Sequence, residues 1–123
     1  MRFDDQIRYA YGRDIGGNPI VTVSYKLIEG SDGNVWAIAG AAYCRSCPSK
    51  VMGRKIADGR LETQIRGEGV GRDLVVLIGN ADSGITLREV SSIVLNTAVF
   101  NRRTPTWVLK DISLHGEMFE TRD

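Results

Sequence analysis

Two cysteines, Cys44 and Cys47, separated by Arg45 and Ser46 and followed by Pro48, are the residues of this chain whose types and spacing most directly invite chemistry. Pro48 suits the first turn of a helix, where its missing N–H is no loss, so Ser46 or Cys47 is the expected cap. Unpaired N–H groups and the helix dipole favour a thiolate at such a place, and Arg45 and Lys50 add positive charge. The thiolate is the form that attacks a disulfide, so the chemistry on offer is thiol–disulfide exchange by Cys44 and Cys47. The plainer reading is two small apolar residues at a strand-to-helix corner. A structural zinc site wants four ligands. His115 is the one histidine and lies far along the chain, so neither a metal nor any other cofactor is expected.

A second group is basic. In the run from Lys50 to Leu61, Gly53, Ala57, Arg60 and Gln64 fall along one side of a helix, and two small residues four apart allow that helix to pack closely on a strand. Lys50, Arg54 and Lys55 occupy a more exposed arc that can meet phosphates, and Arg102 and Arg103 extend the patch. Arg54 stands four before Asp58 and Glu62 four before Arg66, the spacing of ion pairs on a solvated face. The candidate binding residues are therefore Lys50, Arg54, Lys55, Arg60, Arg102 and Arg103. Gly67-Glu68-Gly69-Val70-Gly71 precedes a strand instead of joining a strand to a helix N-terminus, so it is a loop and not a phosphate cradle. His115, Asp82 and Ser83 have no catalytic partner placed by any motif.

A strand followed by Cys44-Arg45-Ser46-Cys47 and a helix, with Arg103-Thr104-Pro105-Thr106-Trp107-Val108-Leu109 later, resembles the thioredoxin family. That resemblance implies Cys44 as attacking thiol, Cys47 as resolving thiol and Pro105 as a cis proline shaping the substrate groove. The tight turn leading into this strand differs from that family's helical crossover. The stretch from Val21 to Leu61, a hairpin feeding Gly53-Arg54-Lys55-Ile56-Ala57-Asp58-Gly59-Arg60, resembles small proteins encoded by phages and other mobile elements. It implies an accessory role and names no activity.

The elements that must position these residues follow from periodicity. Ile7, Tyr9 and Tyr11 alternate in a short first strand, and Val21, Val23, Tyr25 and Leu27 alternate in a second over 20–28. Turn formers at 29–34 lead into a third strand over 35–43, giving a hairpin. Its small residues Ala37, Ala39 and Ala41 share a face, where the following helix is expected to approach. That helix runs to about Arg66 and is stopped by Gly67, Gly69 and Gly71. Leu74 to Ile78 is apolar throughout, as in a central strand covered on both faces. Thr86 and Glu89 form a capping box, with Ile85 and Val90 as a hydrophobic staple, for a helix ending near Asn101 whose buried stripe is Leu87, Val90, Val94 and Ala98. Pro105 then sets an extended segment and a last strand over 107–114. The expectation is an α+β fold, a mixed sheet with two helices in the order β-β-α-β-α-β and an additional N-terminal strand.

One domain over residues 1–123 accounts for the whole chain, with 42% hydrophobic and 25% charged residues, values of an ordinary globular protein. Sixteen basic and fifteen acidic side chains leave a formal charge of +1, too little for a global field drawing the chain onto nucleic acid or a membrane. The start, Met1-Arg2-Phe3-Asp4-Asp5, is unlike a signal peptide, and no stretch reaches membrane length, which predicts a cytoplasmic protein without a membrane partner. Two cysteines make no disulfide framework. The functional expectation is a non-enzymatic binding or accessory protein that contacts a host protein or nucleic acid through its basic first helix. The alternative is a thioredoxin-like oxidoreductase. An exposed hairpin edge leaves a homodimer open.

Overall fold

The computed structural model describes residues 6–45, 49–66, 74–101, 103–112 and 120–122. Five strands, β1 (Arg8–Arg13), β2 (Pro19–Glu29), β3 (Asn34–Tyr43), β4 (Val75–Asn80) and β5 (Glu120–Arg122), form one sheet in the order β4-β3-β2-β1-β5. Among the described residues three α-helices, α1 (Lys50–Arg66), α2 (Leu87–Val99) and α3 (Thr106–Asp111), accompany the sheet in an α+β fold. Every neighbouring strand pair runs antiparallel, so the sheet is not mixed.

The alternation in β2 and β3 divides the two faces. Val21, Val23, Tyr25 and Leu27 lie opposite Tyr43, Ala41, Ala39 and Ala37, and this face is closed by Val90, Val94, Leu95, Ala98 and Val99 of α2, Val108 of α3 and Ile112 just after it, all buried. The buried Tyr25 hydroxyl shares a 2.9 Å hydrogen bond with Ser91 of α2, so a polar tip inside the core keeps a partner. The hairpin and the α2 cap were foreseen: Thr86 Oγ1 accepts from the Glu89 N–H.

The opposite face carries α1, and here the expected seat is corrected. The alanine row faces α2. The close approach of α1 falls instead on Gly40, where a Cβ would lie 2.3 Å from the Leu61 nitrogen and 2.5 Å from the Ala57 carbonyl oxygen. Gly53 meets Thr22 of β2 in the same way, a Cβ there lying 2.4 Å from Thr22 Oγ1. The small residues 53 and 57 do serve close packing, but the strand glycine decides the face. From Thr22 on β2 to Gly40 on β3, α1 crosses the strands obliquely and leaves the sheet beside the C-terminal end of β3. β4 runs antiparallel to β3.

Three further expectations change. The apolar run 75–78 is an edge strand, with Val75 and Leu77 about half exposed, because α1 sits over β1 to β3 and does not reach it. Residues 106–111 are helical instead of the start of a strand over 107–114: Pro105, at φ −57°, caps α3, and a fixed φ near that value suits a helix entrance as well as an extended segment. Residues 113 and 114 lie outside the described residues. The hairpin has no exposed edge, since β1 and β4 flank it.

Candidate functional site

Ser49 precedes α1, and its hydroxyl accepts from the Met52 N–H at 3.4 Å. The expected caps Ser46 and Cys47, Pro48, the glycines of 67–71, Arg102 and His115 lie outside the described residues. Cys44 is half-buried just past β3. Pro105 is not cis: there are no cis peptide bonds among the described residues. Trp107 to Leu109, the strand of the thioredoxin comparison, are helical. Among the described residues no group of three or more His, Cys, Asp or Glu is placed to hold a metal.

The basic residues of the first helix divide into two clusters. At its start, Tyr9 and Tyr11 alternate on the face of β1 that looks at α1. The Arg54 guanidinium lies 5.1 Å from the Tyr9 ring centroid and 5.5 Å from that of Tyr11, and its Nε donates to the Tyr11 hydroxyl. Lys50 stands 4.9 Å and Arg13 5.8 Å from the Tyr11 ring. Arg54 thus turns inward, where cation–π contact with two rings holds it, and not outward as the solvated-face reading expected. Lys55 is exposed.

Asp58, one turn on, makes no pair with Arg54. It accepts from Ser24 Oγ at 2.6 Å and from the Tyr9 hydroxyl at 3.0 Å. Burial, the hydrogen bond to Asp58 and the charge of that carboxylate push the Tyr9 phenol up to about 12, against the opposing pull of Arg54. A serine hydroxyl beside a carboxylate has the parts of an activated nucleophile. Ser24, however, is fully buried beneath α1, so no substrate reaches it, and the trio works as a polar seam that fixes α1 on the sheet. Its signal in the sequence was the matching register of Tyr9 and Ser24, cross-strand partners on β1 and β2.

The second cluster lies where α1 ends. A cavity of about 430 Å³ is lined by Gly40, Ala41 and Tyr43 of β3, Arg60 and Gln64 of α1, and Asn101, Arg103 and Pro105 of the turn between α2 and α3. Two of the sequence candidates meet there, Arg60 from α1 and Arg103 from the turn between α2 and α3. Arg60 Nη1 donates to the Ala41 carbonyl at 2.6 Å. Ala39 donates its N–H to the Leu74 carbonyl at 2.8 Å, so by strand alternation Ala41 and Tyr43 aim their backbone groups the same way, into the cavity. The far wall is pinned by hydroxyls: Tyr43 and Thr104 both donate to the Ala98 carbonyl, at 2.8 and 2.6 Å. Burial raises the Tyr43 phenol, opposed by a hydrogen bond with Thr104 and by the charge of Arg60, so it stays a neutral donor and acceptor at the rim. Two guanidinium groups with a Gln and an Asn suit an anion of carboxylate or phosphate type.

Among the described residues no helix is long and apolar enough to cross a membrane. No protein-family model matches the chain, and no match was found among curated proteins or among solved structures.

Proposed function

We propose that this chain is a small binding domain, an accessory protein of the kind its mobile-element resemblance implies, whose recognition centre is the cavity between Arg60 and Arg103. The observation that carries this reading is the convergence of these two arginines, with Gln64 and Asn101, on one concavity at the end of β3. A concave site with a few converging polar groups is the usual form of a ligand site. The partner is a protein segment bearing carboxylates. A nucleic acid is the second reading, and two features make it the weaker one. A net charge of +1 supplies no field along a phosphate backbone, and Arg54, at the head of α1, is committed to tyrosine contacts.

The test is a titration of the full chain with an oligoglutamate peptide and, separately, with a single-stranded oligonucleotide, following backbone amide NMR shifts. The expected result is peptide-dependent shifts at Arg60, Gln64, Asn101 and Arg103, with affinity lowered about tenfold in Arg103→Gln, the scale of one charge-assisted contact. Arg60→Gln, which keeps a donor for the Ala41 carbonyl, acts alike. Tight oligonucleotide binding with a steep salt dependence selects the second reading. The absence of shifts at these four residues with either probe refutes the cavity as the site.

A further inference from the structure

On the face of the sheet that α1 occupies, the end away from the helix carries partly exposed apolar side chains. Ile28 of β2, Trp36 of β3 and Leu77 of β4 form a direct cross-strand row, and they are 45%, 37% and 50% exposed. The next row pairs Ile38 with Val75, itself 47% exposed. The rows run out to β4, beyond which no further strand lies among the described residues. Since the Leu74 carbonyl accepts from Ala39, alternation turns the N–H and C=O of Val75 and Leu77 away from β3.

Independently of the cavity, we propose that a second copy of this chain occupies this edge, β4 pairing antiparallel with β4 of the partner so that two five-stranded sheets become one. Three observations favour a second copy over an unrelated strand. First, Val75-Val76-Leu77-Ile78 has none of the lysines, prolines or inward charges that keep sheet edges from pairing, whereas the other edge strand carries Glu120 and Arg122 in its sequence. Second, antiparallel pairing of identical edges is isologous and closes after two copies. With Val76 opposite its own counterpart, Val75 of one copy stands beside Leu77 of the other, and the row Ile28–Trp36–Leu77 continues through Val75 into Ile38 of the partner. Third, a net charge of +1 sets up no repulsion between copies. The paired segment is short, Val75 to Ile78, and the dimer is reversible and depends on concentration.

Sedimentation velocity of the full chain across a concentration series should show a monomer–dimer equilibrium. Val75→Pro deletes an N–H that β3 does not use, and Leu77→Lys places a charge on the partly exposed apolar row. Each should raise the dimer dissociation constant at least about tenfold while circular dichroism reports an unchanged fold. A chain that stays monomeric throughout the series overturns the proposal, as does a dimer that both folded variants leave intact, which would place the interface elsewhere. If the variants do not fold, hydrogen exchange on the unaltered chain decides: protection of the Val75 and Leu77 amides should grow with protein concentration, and exchange that ignores concentration refutes the pairing.

Discussion

Ser24 of β2 donates its buried hydroxyl to Asp58 of α1 across 2.6 Å, and this contact locks the helix onto the sheet at one register. Tyr9 uses the other carboxylate oxygen, so removing Asp58 strands two hydroxyls at once. Asp58→Ala should destabilise the fold by about 2–3 kcal/mol, the cost of leaving buried polar groups unsatisfied, with Asp58→Asn losing less. Urea denaturation midpoints measure both.

Tyr9 gives that seam a dependence on pH. Its phenol is held up to about 12 in the folded chain against an ordinary 10.0. The neutral form is thus favoured by folding, so this contribution is fully present below pH 10 and is lost as pH rises from there through 12. Tyrosinate absorbance should show late-titrating groups, one of which disappears in Tyr9→Phe while the raised Tyr43 remains, and the alkaline loss of stability should soften in the same variant. Ionisation of Tyr9 with the ordinary tyrosines would contradict the hydrogen-bonded geometry.

Three glycines should rank in a fixed order when replaced by alanine. Gly40→Ala meets main-chain atoms of α1, which cannot step aside, and should cost about 3 kcal/mol. Gly53→Ala meets the Thr22 side chain and should cost about 1–2 kcal/mol. Gly59 lies exposed on α1 with open space where its Cβ would be. Gly59→Ala should therefore stabilise by about 1 kcal/mol, the difference in helix propensity. Thermal or chemical denaturation of the three variants checks the order.

Tyr25 and Ser91 call for a double-mutant cycle. Tyr25→Phe or Ser91→Ala alone breaks this buried hydrogen bond and should cost about 1–3 kcal/mol. The double variant should cost less than the two summed, because the shared hydrogen bond is lost only once. The exposed pair of Arg45 and Asp111, at 3.1 Å, is the contrasting case: Asp111→Ala should move stability by about 0.5 kcal/mol at most.

Much of the architecture could be read from local patterns. Alternation fixed the faces of β2, the turn formers at 29–34 announced the hairpin, and Thr86 with Glu89 marked the start of α2. These signals survive because each is settled within a few residues. Val75 to Ile78 misled because a continuous apolar run describes composition, whereas burial depends on how far α1 reaches across the sheet. Trp107 and Val108 misled because a proline with fixed φ opens a helix as readily as a strand. The inward turn of Arg54 could not be seen along α1 alone, where Asp58 stands at ion-pair spacing. It required knowing that Tyr9 and Tyr11 of a distant strand lie beneath. Arg60 and Arg103 were singled out by charge, but their meeting at one cavity depends on helices packed on opposite faces of one sheet.

The glycine at position 40 also divides α1 by how freely it can vary. The helix is held through main-chain contact and a buried polar seam, so its outward residues Val51, Met52, Lys55, Ile56 and Gly59 have little part in keeping the fold. That half of the helix can drift in sequence from one descendant to the next, while the underside stays fixed and Arg60 remains aimed at the same place.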